Sequence, residues 1–214
     1  MATRADGGTV QGGNLEAAFA ELSPREIALI RSTYRVIARQ GGHRLSLQDI
    51  ADEAGVSKGL ILYHFKTKDR LLLTTMRWAL HRTEGRIRER LNGLEDPREA
   101  IGALLDAVWI GPEQNRNFNL LYLDLIEHSA RDPSFSELST LTERIINGLY
   151  AEVIRDGVQR AVLDVDDPEE AAWAMRAHIE GTFLAWLQQA DWESSHERYK
   201  ERCRSGVLRL LGVT

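Results

Sequence analysis

The 214 residues include a single cysteine, Cys203. One thiol excludes an intrachain disulfide framework and any cysteine-based zinc cluster, and it fits a reducing compartment. No apolar run approaches the roughly 18 residues needed to span a membrane, so no membrane partner is expected. Residues 1–6 lack the apolar centre of a signal peptide, and the expected location is the cytoplasm. Runs in which β-branched residues alternate with polar ones are also missing, so strands are not expected. There is no phosphate loop and no nucleophile elbow. The histidines, at positions 43, 64, 81, 128, 178 and 196, include no pair spaced i,i+4, so no helical metal site is suggested. Asp124 and His128 do share that spacing, which is ordinary for a polar helix face. Neither a cofactor, a metal nor an enzymatic activity is expected.

The charge is instructive only when split by position. The whole chain carries 27 Lys+Arg against 32 Asp+Glu, a net of −5, which argues on its face against a nucleic-acid partner. Residues 81–214, however, hold 16 against 24, a net of −8, while residues 23–80 hold 10 against 5, a net of +5. A basic N-terminal segment followed by a larger acidic body suggests an anion-binding module joined to something with a different task.

Helical periodicity runs through the rest of the chain. Residues 1–22, with four glycines, read as a mobile tail with at most a short helical turn at 15–22. Ser23, Pro24 and Glu26 form a helix start, with a cap, a proline at the first helical position and a capping-box carboxylate. Ile27, Ile30, Tyr34 and Ile37 recur at helical spacing, and Gly41-Gly42 is the expected stop. Two short helices follow, then one from about Lys68 towards Leu94. Proline or glycine marks each later break: Pro97, Gly111-Pro112, Asp132-Pro133, Asp156-Gly157 and Asp167-Pro168. The segments between are 97–110, 113–130, 133–156, 168–190 and 193–211. The expected fold is all-α with about nine helices, divided into the tail (1–22), a helix-turn-helix domain (23–68) and a larger helical domain (69–214).

The sharpest feature lies between Leu45 and Lys68. Ala51 is small enough for a second helix to cross close to the first. Gly55 suits a left-handed helix end. Val56 plugs the angle, and Ser57 can cap the second helix. Ile50 and Ile61 would pack beneath both, onto Ile30, Tyr34 and Ile37. Such a helix-turn-helix projects its second helix into the DNA major groove. Lys58, Gly59, Leu60 and Leu62 then face outward, with Tyr63 and His64 at the helix end. Lys66 and Lys68 supply cations beside a helix start, and Ser46 sits at another; both settings favour phosphate. Gln48 can reach a base edge, where glutamine pairs with adenine.

This stretch resembles the DNA-binding domain of the tetracycline-repressor (TetR-type) family of bacterial transcription regulators. The resemblance rests on Ile50-Ala51, Glu53 to Gly59, Tyr63 to Lys68 and Leu71-Leu72, within residues 23–75. It implies a homodimer, a double-stranded operator with two half-sites, and a divergent C-terminal domain that binds a small-molecule effector. Leu62 departs from the pattern: many members carry a tyrosine there for a phosphate or thymine-methyl contact. Leucine keeps the apolar contact and loses the hydroxyl, shifting weight to Tyr63 and His64.

The acidic body is then expected to dimerise and to hold an effector. In 168–190, Ala171, Ala174, His178, Gly181 and Ala185 share a small-residue face. Met175, Ile179, Thr182 and Trp186 lie on another, and Trp173, Ala177, Glu180, Leu184 and Leu187 on a third. A helix apolar on most sides is buried on most sides, so 168–211 is the expected two-fold four-helix interface. Trp78, Trp109, Phe118, Tyr122, Trp173 and Phe183, with His128 and His178 as polar anchors, are the effector-contact candidates. The resulting expectation is a repressor released from its operator by the effector. The alternative is an all-α ligand-binding or adaptor protein that does not bind DNA.

Overall fold

The computed structural model describes residues 22–40, 45–131 and 137–213. Among these are nine helices and no strand: α1 Pro24–Gln40, α2 Leu47–Ala54, α3 Lys58–Phe65, α4 Lys68–Leu91, α5 Pro97–Val108, α6 Pro112–Arg131, α7, α8 Pro168–Leu187 and α9 Trp192–Leu210. Helix α7 runs without a break through Glu137–Thr142, a π-helical turn Glu143–Asn147, and Gly148–Gln159. The expected tail lies almost wholly outside the described residues, as do the stop at Gly41-Gly42 and the break at Asp132-Pro133.

Local chemistry sets the helix starts. At α1, the Ser23 and Glu26 backbone amides each donate to the other's side chain, at 2.8 and 3.2 Å, forming the expected box. Ser46 does the same with Asp49 ahead of α2. Ser57 and Thr67 accept from the amides of Leu60 and Arg70, capping α3 and α4. Asp96 and Asp167 precede prolines at the starts of α5 and α8. Each such cap is worth about 1 kcal/mol.

Helices α1 to α3 and the first turns of α4 form a head around fully buried Ile30, Ile37, Ile50 and Ile61. Glu53 of α2 clamps α1 by accepting from Arg35 and Arg39, both at 2.9 Å. The Arg35 and Arg39 bonds hold the Glu53 carboxyl below its usual range. Helix α4 continues from the head into the body without a break, packing on α5 and α6, while α1 lies against α6. Helices α8 and α9 pair closely, and α8 also packs on α7. His178 of α8 fills a notch at Gly206 of α9, where even a Cβ would collide with the imidazole ring.

One expected break falls late. Helix α7 passes through Asp156-Gly157 and ends at Gln159. Leu163 folds back against buried Gly157, leaving no room for a side chain there. This glycine serves close packing, and the helix continues past it.

Candidate functional site: a helix-turn-helix surface and a cavity behind it

Gly55 ends α2 in the left-handed region, at φ 64° and ψ 39°. A glycine adopts this conformation without the roughly 1–2 kcal/mol cost of an L side chain. After Val56, α3 starts at once and turns its outer face to solvent. Lys58, Gly59 and Lys66 are exposed. Tyr63 is 70% exposed and Leu62 36%, so an apolar and aromatic edge stands in water. Leu60 is half-buried. A Cβ on Gly59 would meet only the Ser57 hydroxyl, at 3.8 Å. Among the described residues nothing requires glycine at that position.

The end of α3 is tightly turned. The Thr67 amide donates to the Phe65 carbonyl at 2.8 Å, which makes Lys66 the centre of a γ-turn with φ 66° and ψ −48°. This is the rare, strained hand of that turn. The Lys66 ammonium donates to the Tyr63 carbonyl at 2.9 Å and lies 5.4 Å from the Tyr63 ring centre. It thereby closes the α3 C-terminus, where a cation is favoured. His64 reaches back to α1, its Nδ1 3.6 Å from Glu26. Glu26 is held below its usual range first by the Ser23 amide bond and further by His64. Gln48 donates to Asp52 at 2.8 Å along α2, and the Ser46 hydroxyl donates to Asp49 at 2.6 Å. These nine sequence-predicted positions share the α2–α3 region, several holding local partners, and the tenth, Lys68, is half-buried at the first position of α4.

Behind the head lies a cavity of about 150 Å³. Its walls come from α1 (Tyr34), α4 (Trp78, Ala79, Arg82, Thr83, Arg86), the α5–α6 junction (Val108, Ile110), α6 (Gln114, Asn115, Phe118) and α8 (Phe183). Tyr34, expected beneath the helix-turn-helix, stands edge-on to Trp78 with ring centres 5.9 Å apart. Burial raises its hydroxyl pKa to about 12. A second, smaller cavity of about 60 Å³ shares Thr83, Val108, Phe118 and Phe183 and extends to Tyr122, Tyr150, Arg176 and Glu180. There the Tyr122 hydroxyl donates to Glu180 at 3.1 Å. Burial raises the Glu180 carboxyl above its usual range, against the opposing pull of Arg176 and Tyr122. The π-helical turn supplies Ile146 to this wall.

Four of the eight effector-contact candidates, Trp78, Phe118, Tyr122 and Phe183, line these cavities. The other four line neither. Trp109 is buried and stacked on Phe183 at 4.0 Å, so it backs the wall instead of facing the space. Trp173 is 51% exposed on the outer side of α8. His128 hydrogen-bonds to the Asp124 carbonyl oxygen one turn back. His178 sits in the Gly206 notch. Tyr34, Arg82 and Arg86 were missed by sequence reasoning. The signal was present, since Trp78, Arg82 and Arg86 recur every four residues along one stripe of α4.

The comparisons with known proteins agree with this geometry. Residues 29–75 match the pattern described as bacterial regulatory proteins, tetR family, and residues 97–212 match that of the BetI-type transcriptional repressor C-terminal domain. The chain belongs to the TetR family of bacterial regulatory proteins. It is 31% identical over 163 residues to the HTH-type transcriptional regulator BetI of Vibrio campbellii, covering 75% of this chain and 79% of that one. It is 29% identical to CymR of Pseudomonas putida over 85% of this chain and 86% of that one. A transcriptional regulator from Saccharomonospora viridis, solved in complex with choline, superposes with a TM-score of 0.75 at 25% identity, covering 85% and 94% of the two chains. This TetR-family chain is a transcriptional regulator. No helix among the described residues is long and apolar enough to cross a membrane.

Proposed function

We propose that this TetR-family chain is a repressor that binds operator DNA as a homodimer and is released when a small molecule enters the cavity behind the head. The observation that carries this reading is the composition of the cavity wall. Tyr34 comes from α1 of the head, and Trp78, Arg82 and Arg86 come from α4, which runs unbroken from head to body. An occupant therefore touches both elements that aim the recognition helix. It shifts the equilibrium only by binding the released state better than the DNA-bound one. The choline held by the Saccharomonospora viridis relative supports a small organic occupant in such a body.

Helix α3 is the recognition helix, with Lys58, Gly59, Leu60, Leu62 and Tyr63 at the groove and Ser46, Lys66 and Lys68 at phosphates. The unconstrained space at Gly59 supports close approach of a groove wall. Gln48 and His64 must exchange Asp52 and Glu26 for DNA. The dimer is assigned to 168–211. Trp173, Ala177, Gly181, Leu184 and Ala185 leave an exposed apolar face on α8, joined by Leu210, 38% exposed, on α9. An apolar face of that kind fits a two-fold interface. Footprinting the protein on its own upstream DNA tests the reading. Two protected blocks are expected, about 34–36 Å apart centre to centre or a multiple of it. A single block, or none, contradicts it.

A further inference from the structure

Resting on that effector reading, we propose that the effector is an organic anion, a carboxylate with an apolar body of about one ring, and that Arg82 and Arg86 read its charge. The first cavity is lined by two guanidinium groups and by no carboxylate. Arg82 lies over the Trp78 ring, 4.9 Å from its centre. Arg86 donates from Nε to the Ala107 carbonyl at 2.7 Å and from Nη2 to the Thr83 hydroxyl at 3.1 Å. These partners are neutral, and among the described residues neither arginine has an ion pair. Burial first, then the charge of Arg82, pushes the Arg86 pKa below its ordinary value. A guanidinium nevertheless keeps its proton. Arg86 is half-buried and Arg82 stands at the exposed rim, so an arriving counter-charge offsets the desolvation of Arg86 and the repulsion between the two.

Other arginines of the body are paired with carboxylates. Arg176 in the second cavity has Glu180 at 3.8 Å and Glu143 at 3.9 Å. Arg88 pairs with Glu84 and Glu152, and Arg204 with Asp106. Of these two cavities, the first alone has arginines in its wall and no carboxylate beside them. Its volume of about 150 Å³ suits one ring of benzene size. The Tyr34 hydroxyl, protonated at neutral pH, adds a third donor beside the two arginines. Donor-bearing side chains in one wall, with Phe118 and Phe183 beside them, match a carboxylate, whose two oxygens only accept. A quaternary ammonium such as choline would also find aromatic faces there. It would meet two like charges, one of them already covering Trp78. An anion held by Arg82, Arg86 and Tyr34 would tie α4 to α1, the pair that sets the head.

The test is calorimetric titration of the purified full chain with matched probes: benzoate and benzamide, phenylacetate and phenylacetamide, octanoate and octanamide, and choline chloride. At least one acid is expected to bind about tenfold or more tightly than its amide. Arg82→Gln, at an exposed position, is expected to remove that preference while leaving the melting temperature of the unliganded chain unchanged. Arg86→Gln should do the same, and Arg82→Gln decides if the Arg86 variant fails to fold. The proposal is overturned if no acid is preferred to its amide, if choline outbinds all three acids, or if Arg82→Gln leaves the preference intact. Operator binding by the same preparation separates the two readings. If the protein binds DNA and the acids fail, the anion proposal alone falls; if it binds no DNA, the regulator reading falls.

Discussion

Lys68 opens α4, where the helix dipole is positive and a cation is poorly placed. Asp or Glu would serve the helix better, and a DNA phosphate would supply the counter-charge that this end of the helix does not. Its neighbour Lys66 is different, because its ammonium already closes α3 through the Tyr63 carbonyl. Lys68→Ala is therefore the cleaner probe of phosphate contact. It is expected to weaken binding to all sequences about equally and to flatten the salt dependence by about one unit per head, measured by anisotropy on operator and random duplexes. A changed base preference would contradict the phosphate role. Residue identity alone did not reveal which aromatic faces a cavity. Trp109 and Trp173 were equal candidates in the sequence, yet one is buried behind Phe183 and the other stands in solvent. Their fates depend on which helices pack on each side of α8, and no local pattern encodes that.

At the scale of elements, legibility follows the range of the interactions. The helix-turn-helix was readable because its determinants are local: caps at Ser46, Ser57 and Thr67, a left-handed Gly55, and apolar residues at helical spacing. The π-helical turn in α7 and the cavity wall were not readable, since both depend on contacts far apart in sequence. One such contact joins three elements. His196 of α9 meets the Asn115 Oδ1 of α6 at 2.9 Å, and Asn115 donates to the Val108 carbonyl at the end of α5. Burial lowers the His196 pKa below its ordinary 6.5, so the folded chain binds this proton less tightly than the unfolded chain. Its contribution to stability is full above pH 6.5 and is lost as the pH falls below that value. His196→Gln keeps a donor towards Asn115 and removes the titration. Melting curves from about pH 8 to 5 should show the native chain losing more stability on acidification than the variant. Parallel curves would contradict this account of the junction.

For the whole molecule, the net charge of −5 conceals a basic head of +5 on a body of −8. A body of net −8 repels DNA and a head of net +5 attracts it, so the charge distribution favours approach through the head. The cavity, with its wall drawn from α1 and α4, lies where head and body meet, and the proposed effector would sit there. The central claim is that the heads bind DNA through phosphate contacts carried by lysines, and salt titration of operator affinity tests it most directly. With Lys66 and Lys68 contributing from both heads of a dimer, log affinity against log salt is expected to fall with a slope of about −3.6 or steeper. Between about 50 and 200 mM salt this is roughly a hundredfold loss of affinity. Binding that does not respond to salt, or no binding at any salt concentration, would contradict the account.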